Sequence, residues 1–441
     1  MILDPFASNR PYIKEKYHKK IIAHRPKSTC DSPYYDYVQS PLCDYIVSKL
    51  PRWLAPNLIT VWGFSWNCLC LLLTIFFYGN STDGYYDPRL AIFVGVSYFI
   101  YTTADNCDGK QARKNGTGSV MGMLFDHGLD ATTAIIMNVV LTRIIMVGPG
   151  LPAILAIQIS TVPFYALTME EYYIGMLNLP IFTGPDDTSL LISGICFISA
   201  YLGSGDWWME QITVPFGIDE VLGIPPTLRR STWGVFLIYC VELVSILSGN
   251  IQKYWKARDE SHFKERFTWT SFLSHGGYMV LNIVVYDTYS MLCGSDILYT
   301  HPRSIVFCFA GQFLQAVLRM IVANASGENF NPYRRTTLIA WGLMSVNIVS
   351  FLLYKEPLID EKWLFRGINV MIWSAIGHFA YYILHELKTI LGINVFTVIP
   401  KDANPQESAS KSPKPSPSAS VSDSSASTTT ASKNHNKLKA N

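Results

Sequence analysis

Apolar residues run along this chain in long blocks separated by short polar connections, from about residue 58 to residue 384. Blocks of this length, with no strict alternation of polar and apolar positions, predict helices, and helices immersed in lipid rather than packed into a water-soluble core. The pattern places spans at 58–78, 90–104, 121–147, 151–167, 189–202, 232–247, 272–286, 305–323, 338–354 and 364–384. Several are shorter than the roughly 20 residues that cross a bilayer core, so they must recruit flanking polar residues. The predicted fold is all-α: a polytopic integral membrane helix bundle with about ten transmembrane helices, in which every backbone polar group is satisfied within its own helix.

Composition agrees with that reading. Only 15% of the 441 residues are charged and 49% are hydrophobic, against roughly 25% charged in soluble domains. The net charge of +2 names no partner, and nucleic acid is not expected as one. The first 50 residues are polar and basic and lack the short apolar core of a signal peptide, so the first span is expected to direct insertion. The nine cysteines include no CxxC pair, and Cys68, Cys70, Cys196, Cys240 and Cys308 lie inside apolar runs, which suggests packing rather than zinc or disulfides. Basic residues before the first span, from Arg10 and Lys14 to Lys49 and Arg52, predict a cytosolic N-terminus, and an even number of spans returns the C-terminus to the same side. Three regions follow: a cytosolic N-terminal segment with an interfacial part at 1–56, a transmembrane domain at 57–400, and a Ser/Thr/Pro-rich cytosolic tail at 401–441 with too little apolar surface to fold.

The chemistry concentrates at the end of the second span. There the chain reads Asp105-Asn106-Cys107-Asp108-Gly109-Lys110-Gln111-Ala112-Arg113 and continues through Gly122, Asp126, His127 and Asp130. Asp105 and Asp108 are three apart and Asp126 and Asp130 four apart, so each pair occupies one helix face and a short turn brings the two faces together. Four carboxylates at a membrane boundary are costly without a function and repel one another without a cation. Oxygen ligands favour magnesium, manganese or calcium, and magnesium commonly shares a few carboxylates with substrate phosphates. Gly109 and Gly122 permit close approach of a phosphate or a second helix, and Arg113 offers a guanidinium fork for phosphate.

The arrangement D-x2-D-G-x2-A-R-x8-G-x3-D-x3-D, matched at every fixed position from Asp105 to Asp130, resembles the signature of the class I CDP-alcohol phosphotransferase family. DNCDGKQAR and LFDHGLDA resemble the version found in its eukaryotic choline/ethanolaminephosphotransferase branch. So do Ala55-Pro56-Asn57-Leu58-Ile59-Thr60, the run Glu170-Glu171-Tyr172-Tyr173, and Leu179-Pro180-Ile181-Phe182 with Gly184-Pro185. Residues Lys114 to Met121 depart from the branch's usual text without touching a motif residue. The specific likeness covers about the first 200 residues, and the remainder agrees in architecture.

The resemblance implies transfer of phosphocholine or phosphoethanolamine from CDP-choline or CDP-ethanolamine to diacylglycerol or an alkyl-acylglycerol, with CMP released. It further implies Mg2+ or Mn2+, two ions, on Asp105, Asp108, Asp126 and Asp130, with His127 as proton acceptor. CDP-alcohol contacts are expected at Asn57, Gly109, Ala112, Arg113 and Gly122. An endoplasmic-reticulum or Golgi-type membrane, a cytosol-facing site and a homodimer are expected on the same ground.

Beyond the signature, Glu170, Glu171, Tyr172 and Tyr173 offer aromatic faces and carboxylates suited to the head-group cation. Glu242 and Arg319 read as an intramembrane pair, and His275, His378 and His385 as hydrogen-bonded bundle residues without metal-ligand spacing. Two competing readings share the pattern. One is the same fold acting on inositol, serine or glycerol phosphate, whose members are typically shorter. The other is an ion-coupled transporter, which the absence of an inverted repeat of broken helices disfavours.

Overall fold

The computed structural model describes residues 11–25, 28–30, 32–179, 184–203, 205–215, 225–292 and 297–398. They belong to one compact unit, and residues 401–441, where the tail is expected, lie outside them. Two small helices, α1 (His18–Ala23) and α2 (Ser40–Lys49), precede the bundle. Its long helices are α3 (Pro56–Tyr78), α4 (Pro88–Asn115), α5 (Val120–Ile144), α6 (Leu151–Ile174), α7 (Pro185–Tyr201), α8 (Arg230–Ala257), α9 (Trp269–Leu292), α10 (Pro302–Ser326), α11 (Arg335–Tyr354) and α12 (Glu361–Leu391). Among the described residues strands are confined to two short pairs, β1 (Ser28–Cys30) parallel to β2 (Leu177–Leu179) and β3 (Gln211–Thr213) antiparallel to β4 (Thr227–Arg229). The protein is an all-α polytopic membrane protein.

Each of the ten expected spans coincides with one of the long helices. Six of these, α3, α5, α6, α10, α11 and α12, are long and apolar enough to cross a bilayer; of the other four, α7 has only 17 residues. The helices outrun the apolar blocks because nothing stops them at the lipid boundary. The clearest case is α4, which continues unbroken from Pro88 through the whole DNCDGKQAR run. That stretch holds helix-compatible residues with a single glycine, and the first true terminator is Gly116, left-handed at φ +65. Four residues later α5 begins, with Ser119 Oγ accepting from the Gly122 N–H at 3.2 Å. The short turn expected from the spacing is thus built by a glycine stop and a serine cap.

Around this hairpin the bundle is layered. Helix α3 packs along α4 and α5, α7 covers the other side of α4, and α10 runs through the centre against α5, α6 and α12. Almost every residue of α10 is buried, which accounts for apolar residues on all its faces, with Arg303, Gln312, Gln315 and Asn324 buried among them. The expected pair of Glu242 and Arg319 does not form. Arg319 instead lies over the rings of Phe379 at 4.3 Å and Tyr12 at 5.5 Å, where aromatic faces take the place of a carboxylate. His275 meets the Tyr173 hydroxyl at 2.8 Å and the Phe330 carbonyl at 3.0 Å, and His378 meets the Tyr12 hydroxyl at 2.8 Å.

Helices α3 and α4 approach most closely at Gly63, where an added Cβ would lie 2.7 Å from the Cβ of Ala104. Gly63→Ala is expected to force the helices apart and cost about 1–3 kcal/mol, the usual range for overpacking. A thermal melt of the purified protein checks this. Gly234→Ala, whose added Cβ meets nothing within 4 Å, should leave the midpoint unchanged.

Candidate active site

Two helices bring the four aspartates to one end of the bundle. Carboxylate oxygens of Asp105 and Asp108, from α4, and of Asp126, from α5, lie within 4.8 Å of one another. Asp130, one turn further along α5, interacts electrostatically with the same group. Each carboxylate is braced from a different element. Thr60 on α3 donates its hydroxyl to Asp108, and Tyr101 on α4 donates to Asp130 at 2.7 Å. Oδ1 of Asp105 and Oδ1 of Asp126 are buried and have no hydrogen-bond donor. A desolvated carboxylate oxygen without a donor is costly, and a hard cation is what satisfies it. The donor set, oxygen only, fits a divalent metal ion.

The surrounding positions close the cluster on its outer side. Lys110 bridges Asp44 at 2.7 Å and Ser40 at 2.8 Å, and Lys114 donates to the carbonyls of Val47 and Leu50, each at 2.6 Å. These bonds clamp α2 across the back of the motif helix. Asn106 points the other way and donates to Asp186 at the start of α7, at 2.6 Å. Arg113 is exposed in the last turn of α4. Gly109 lies beneath it, 3.7 Å separating a Cβ built there from the guanidinium, and Ala112 is half-buried one residue before it. Asn57 lies in the first turn of α3, with its side-chain Oδ1 3.9 Å from a Cβ built at Gly122 and its Nδ2 donating to the Val395 carbonyl at 2.8 Å. The chain after α12 therefore lies beside the site, and Phe396 meets the ring of Phe125 edge-on at 5.7 Å.

His127 interacts electrostatically both with Asp130 and with Glu171 of α6. Glu171 is fixed by Asn324, whose amide donates to it at 3.2 Å. The other members of the expected head-group quartet are engaged elsewhere. Glu170 pairs with Lys253 at 2.9 Å and accepts from Asn178 at 3.1 Å. The Tyr172 ring lies under Arg266 at 4.7 Å, and Tyr173 bonds Ser271 at 2.7 Å as well as His275. All four are buried. Of the LPIF stretch, Pro180 to Phe182 lie outside the described residues.

Sequence reasoning quoted Thr60 and Asn106 within motifs but gave them no role, and it missed Tyr101, Asp186 and Asn324. One signal was present: the buried residues of α3 include Thr60, Gly63, Asn67, Cys70 and Thr74, small or polar side chains at helical spacing that mark the face turned toward α4 and α5.

Residues 53–218 of this membrane protein match the CDP-alcohol phosphatidyltransferase family. Over most of its length it is similar to particular members. It is 27% identical over 403 residues to choline/ethanolaminephosphotransferase 1 of Arabidopsis thaliana, covering 88% of this chain and 98% of the relative. Choline/ethanolaminephosphotransferase 2 of the same plant is 28% identical over 375 residues, covering 83% and 93%. Ethanolaminephosphotransferase 1 of Mus musculus is 28% identical over 327 residues, covering 72% and 77%.

The brace at Asp130 makes a specific expectation. Tyr101→Phe should keep the fold and raise the divalent ion concentration needed for half-maximal activity about 10–100-fold, the usual effect of losing a hydrogen bond behind a metal ligand. Titration of activity with Mn2+ reads it directly.

Proposed function

We propose that the protein transfers phosphocholine or phosphoethanolamine from the CDP-alcohol to the hydroxyl of diacylglycerol or an alkyl-acylglycerol, forming phosphatidylcholine or phosphatidylethanolamine and releasing CMP. The observation that carries this reading is the carboxylate cluster, with two donor-free buried oxygens, inside a stretch that matches the family. Likeness to relatives named for choline and ethanolamine phosphotransfer supplies the substrate class.

In this proposal Asp105, Asp108, Asp126 and Asp130 hold Mg2+ or Mn2+, two ions. Such ions, when bound, neutralise the diphosphate and the charge that develops on the transferring phosphoryl group. The protein's own groups do the rest. Arg113, exposed above Gly109 and Ala112, grips a phosphate of the nucleotide in its guanidinium fork, and Asn57 and Gly122 line the approach. The acceptor oxygen attacks the phosphorus that bears the choline or ethanolamine. The bond from that phosphorus to the bridging oxygen breaks, CMP carries the electron pair away, and the hydroxyl proton passes to the imidazole of His127. Imidazole suits this task near neutral pH, whereas a carboxylate beside cations is a poor base. Glu171, the one member of the acidic-aromatic quartet that faces His127, is the head-group or orienting carboxylate.

The diacylglycerol enters laterally from the bilayer. The aspartate end also carries Lys14, Lys110, Lys114, Lys253 and Arg266, and by the bias of basic residues we assign it to the cytosolic face of an endoplasmic-reticulum or Golgi-type membrane. We assign a homodimer as the working assembly by likeness alone.

Membranes containing the protein should transfer labelled head group from CDP-choline or CDP-ethanolamine to diacylglycerol, lose that activity in excess EDTA, and regain it with Mg2+ or Mn2+. Full activity in EDTA would reject the metal reading, and transfer only to inositol, serine or glycerol phosphate would reject the acceptor. Asp126→Asn should lose activity by orders of magnitude while remaining inserted. His127→Ala should bind metal and CDP-alcohol near normally but lower kcat by about 10²–10⁴, the usual worth of general base catalysis. Near-normal turnover of His127→Ala would make His127 an orienting residue.

A further inference from the structure

At the opposite end of the bundle a second polar group is buried without a role in the reaction above. Helix α3 runs from Thr60, at the aspartates, to Ile75, 15 residues on, so by the 1.5 Å rise per residue the two ends stand about 22 Å apart along the helix. There a cavity of about 270 Å3 opens between α3, α10 and α12, walled by apolar Ile75, Phe307 and Trp373 and by polar Asn80, Arg303 and Asn369.

Its charge is unbalanced. Arg303 is 3% exposed, and its guanidinium donates to the carbonyls of Gly79 and of Ser81. Its Nε–H has no acceptor, and Oδ1 of Asn369 has no donor. A second buried guanidinium, Arg143, lies nearby, bonded to the Tyr85 carbonyl and standing 4.8 Å over the Tyr78 ring. Asp83, the carboxylate facing Arg143, is itself paired with Arg229 at 2.7 Å. Three arginines and one aspartate leave an excess of two positive charges. Arg303 and Ser304 also occupy the first turn of the 25-residue helix α10, whose dipole adds partial positive charge at the same spot. Carbonyls take up part of the charge on Arg303, and an anion at its open Nε–H would take up the rest.

The walls say what kind of anion. Inorganic phosphate has no use for Ile75, Phe307 and Trp373, and the cavity is continuous with the outer flank of α3, where Leu72, Ile75 and Phe76 are 63%, 40% and 80% exposed. Those side chains face the bilayer. We propose that the cavity is a phospholipid site, with the lipid phosphate against Arg303 and the first turn of α10 and the acyl chains along α3. The lipid belongs to the leaflet away from the aspartates. Diacylglycerol, which carries no phosphate, does not fill it.

The test uses the full-length protein in detergent, with dioctanoyl phosphatidic acid, inorganic phosphate and dioctanoylglycerol each added before a thermal melt. Phosphatidic acid should raise the midpoint by several degrees, as expected for a ligand well above its dissociation constant. The rise should vanish in Arg303→Gln and in Ile75→Trp, which fills the cavity from its apolar wall and leaves every polar contact in place. Any rise given by dioctanoylglycerol should survive both substitutions. Should Arg303→Gln fail to fold, Ile75→Trp decides alone. The proposal is overturned if the phosphatidic acid shift persists in Ile75→Trp, if inorganic phosphate gives the same shift, or if the shift depends on protein concentration, which would mean a second copy of the chain covers the cavity. Head-group transfer by Ile75→Trp should stay within about twofold of wild type. Its loss would show that the cavity belongs to the active site, and would do so without touching the transferase reading.

Discussion

Mutual repulsion of carboxylates is the constraint on which the rest of this structure turns. Two unit charges 4.8 Å apart, the spread of the Asp105, Asp108 and Asp126 oxygens, repel by on the order of 3 kcal/mol at an effective dielectric constant near 20. Several such pairs must be borne before any cation is bound. The load is carried by packing: α3 and α4 touch at Gly63 and Ala104, which fixes Thr60 against Asp108, while the four-residue turn at Gly116 sets α5 beside α4. Were the helices looser, the carboxylates would swing outward into water and the site would lose its affinity for metal.

The same end of the bundle gathers the loose parts of the chain. Glu386 near the end of α12 accepts the backbone N–H groups of Tyr12 and Ile13 at 2.8 and 2.9 Å, and Lys14 pairs with Glu328 beyond α10. Helix α2 is clamped to α4 by Lys110 and Lys114, and β1 pairs with β2 just after α6. The N-terminal segment is thus held to the bundle by its backbone at Glu386, by Lys14 and by two lysines of α4. Lys14 is also one of the basic residues that predict orientation, so its charge serves both insertion and assembly. At the far end Arg303 and Arg143 spend their donors largely on carbonyls.

Hydrophobic blocks made the ten helices legible, because a lipid-facing helix must be apolar over its whole span. Their ends were less legible, since α4 keeps helical propensity for eleven residues past Ala104 and hydropathy is blind to that. The aspartates, with the spacing that pairs them, could be read directly, as chemistry confined to one short stretch. Their supports could not. Thr60, Tyr101 and Asn324 come from three different helices and meet the site only through packing, so no local spacing announces them. The expected pairing of Glu242 with Arg319 failed for a related reason. Intramembrane charge need not seek opposite charge when aromatic faces are at hand, and Phe379 and Tyr12 flank Arg319.

The run Glu170 to Tyr173 shows why adjacency in sequence is a poor guide to shared function on a helix. Successive residues point about 100° apart, so four in a row address every side of α6. Lys253 holds Glu170 on the α8 side, Arg266 covers Tyr172, and Tyr173 is locked to Ser271 and His275 of α9. Only Glu171 is left looking toward His127, with Asn324 behind it. A quartet that reads as a cage for a cation is therefore three structural anchors and one carboxylate beside the chemistry. Those anchors bind α6 to α8 and α9, and through them the second half of the chain fixes the position of the carboxylate that the first half requires.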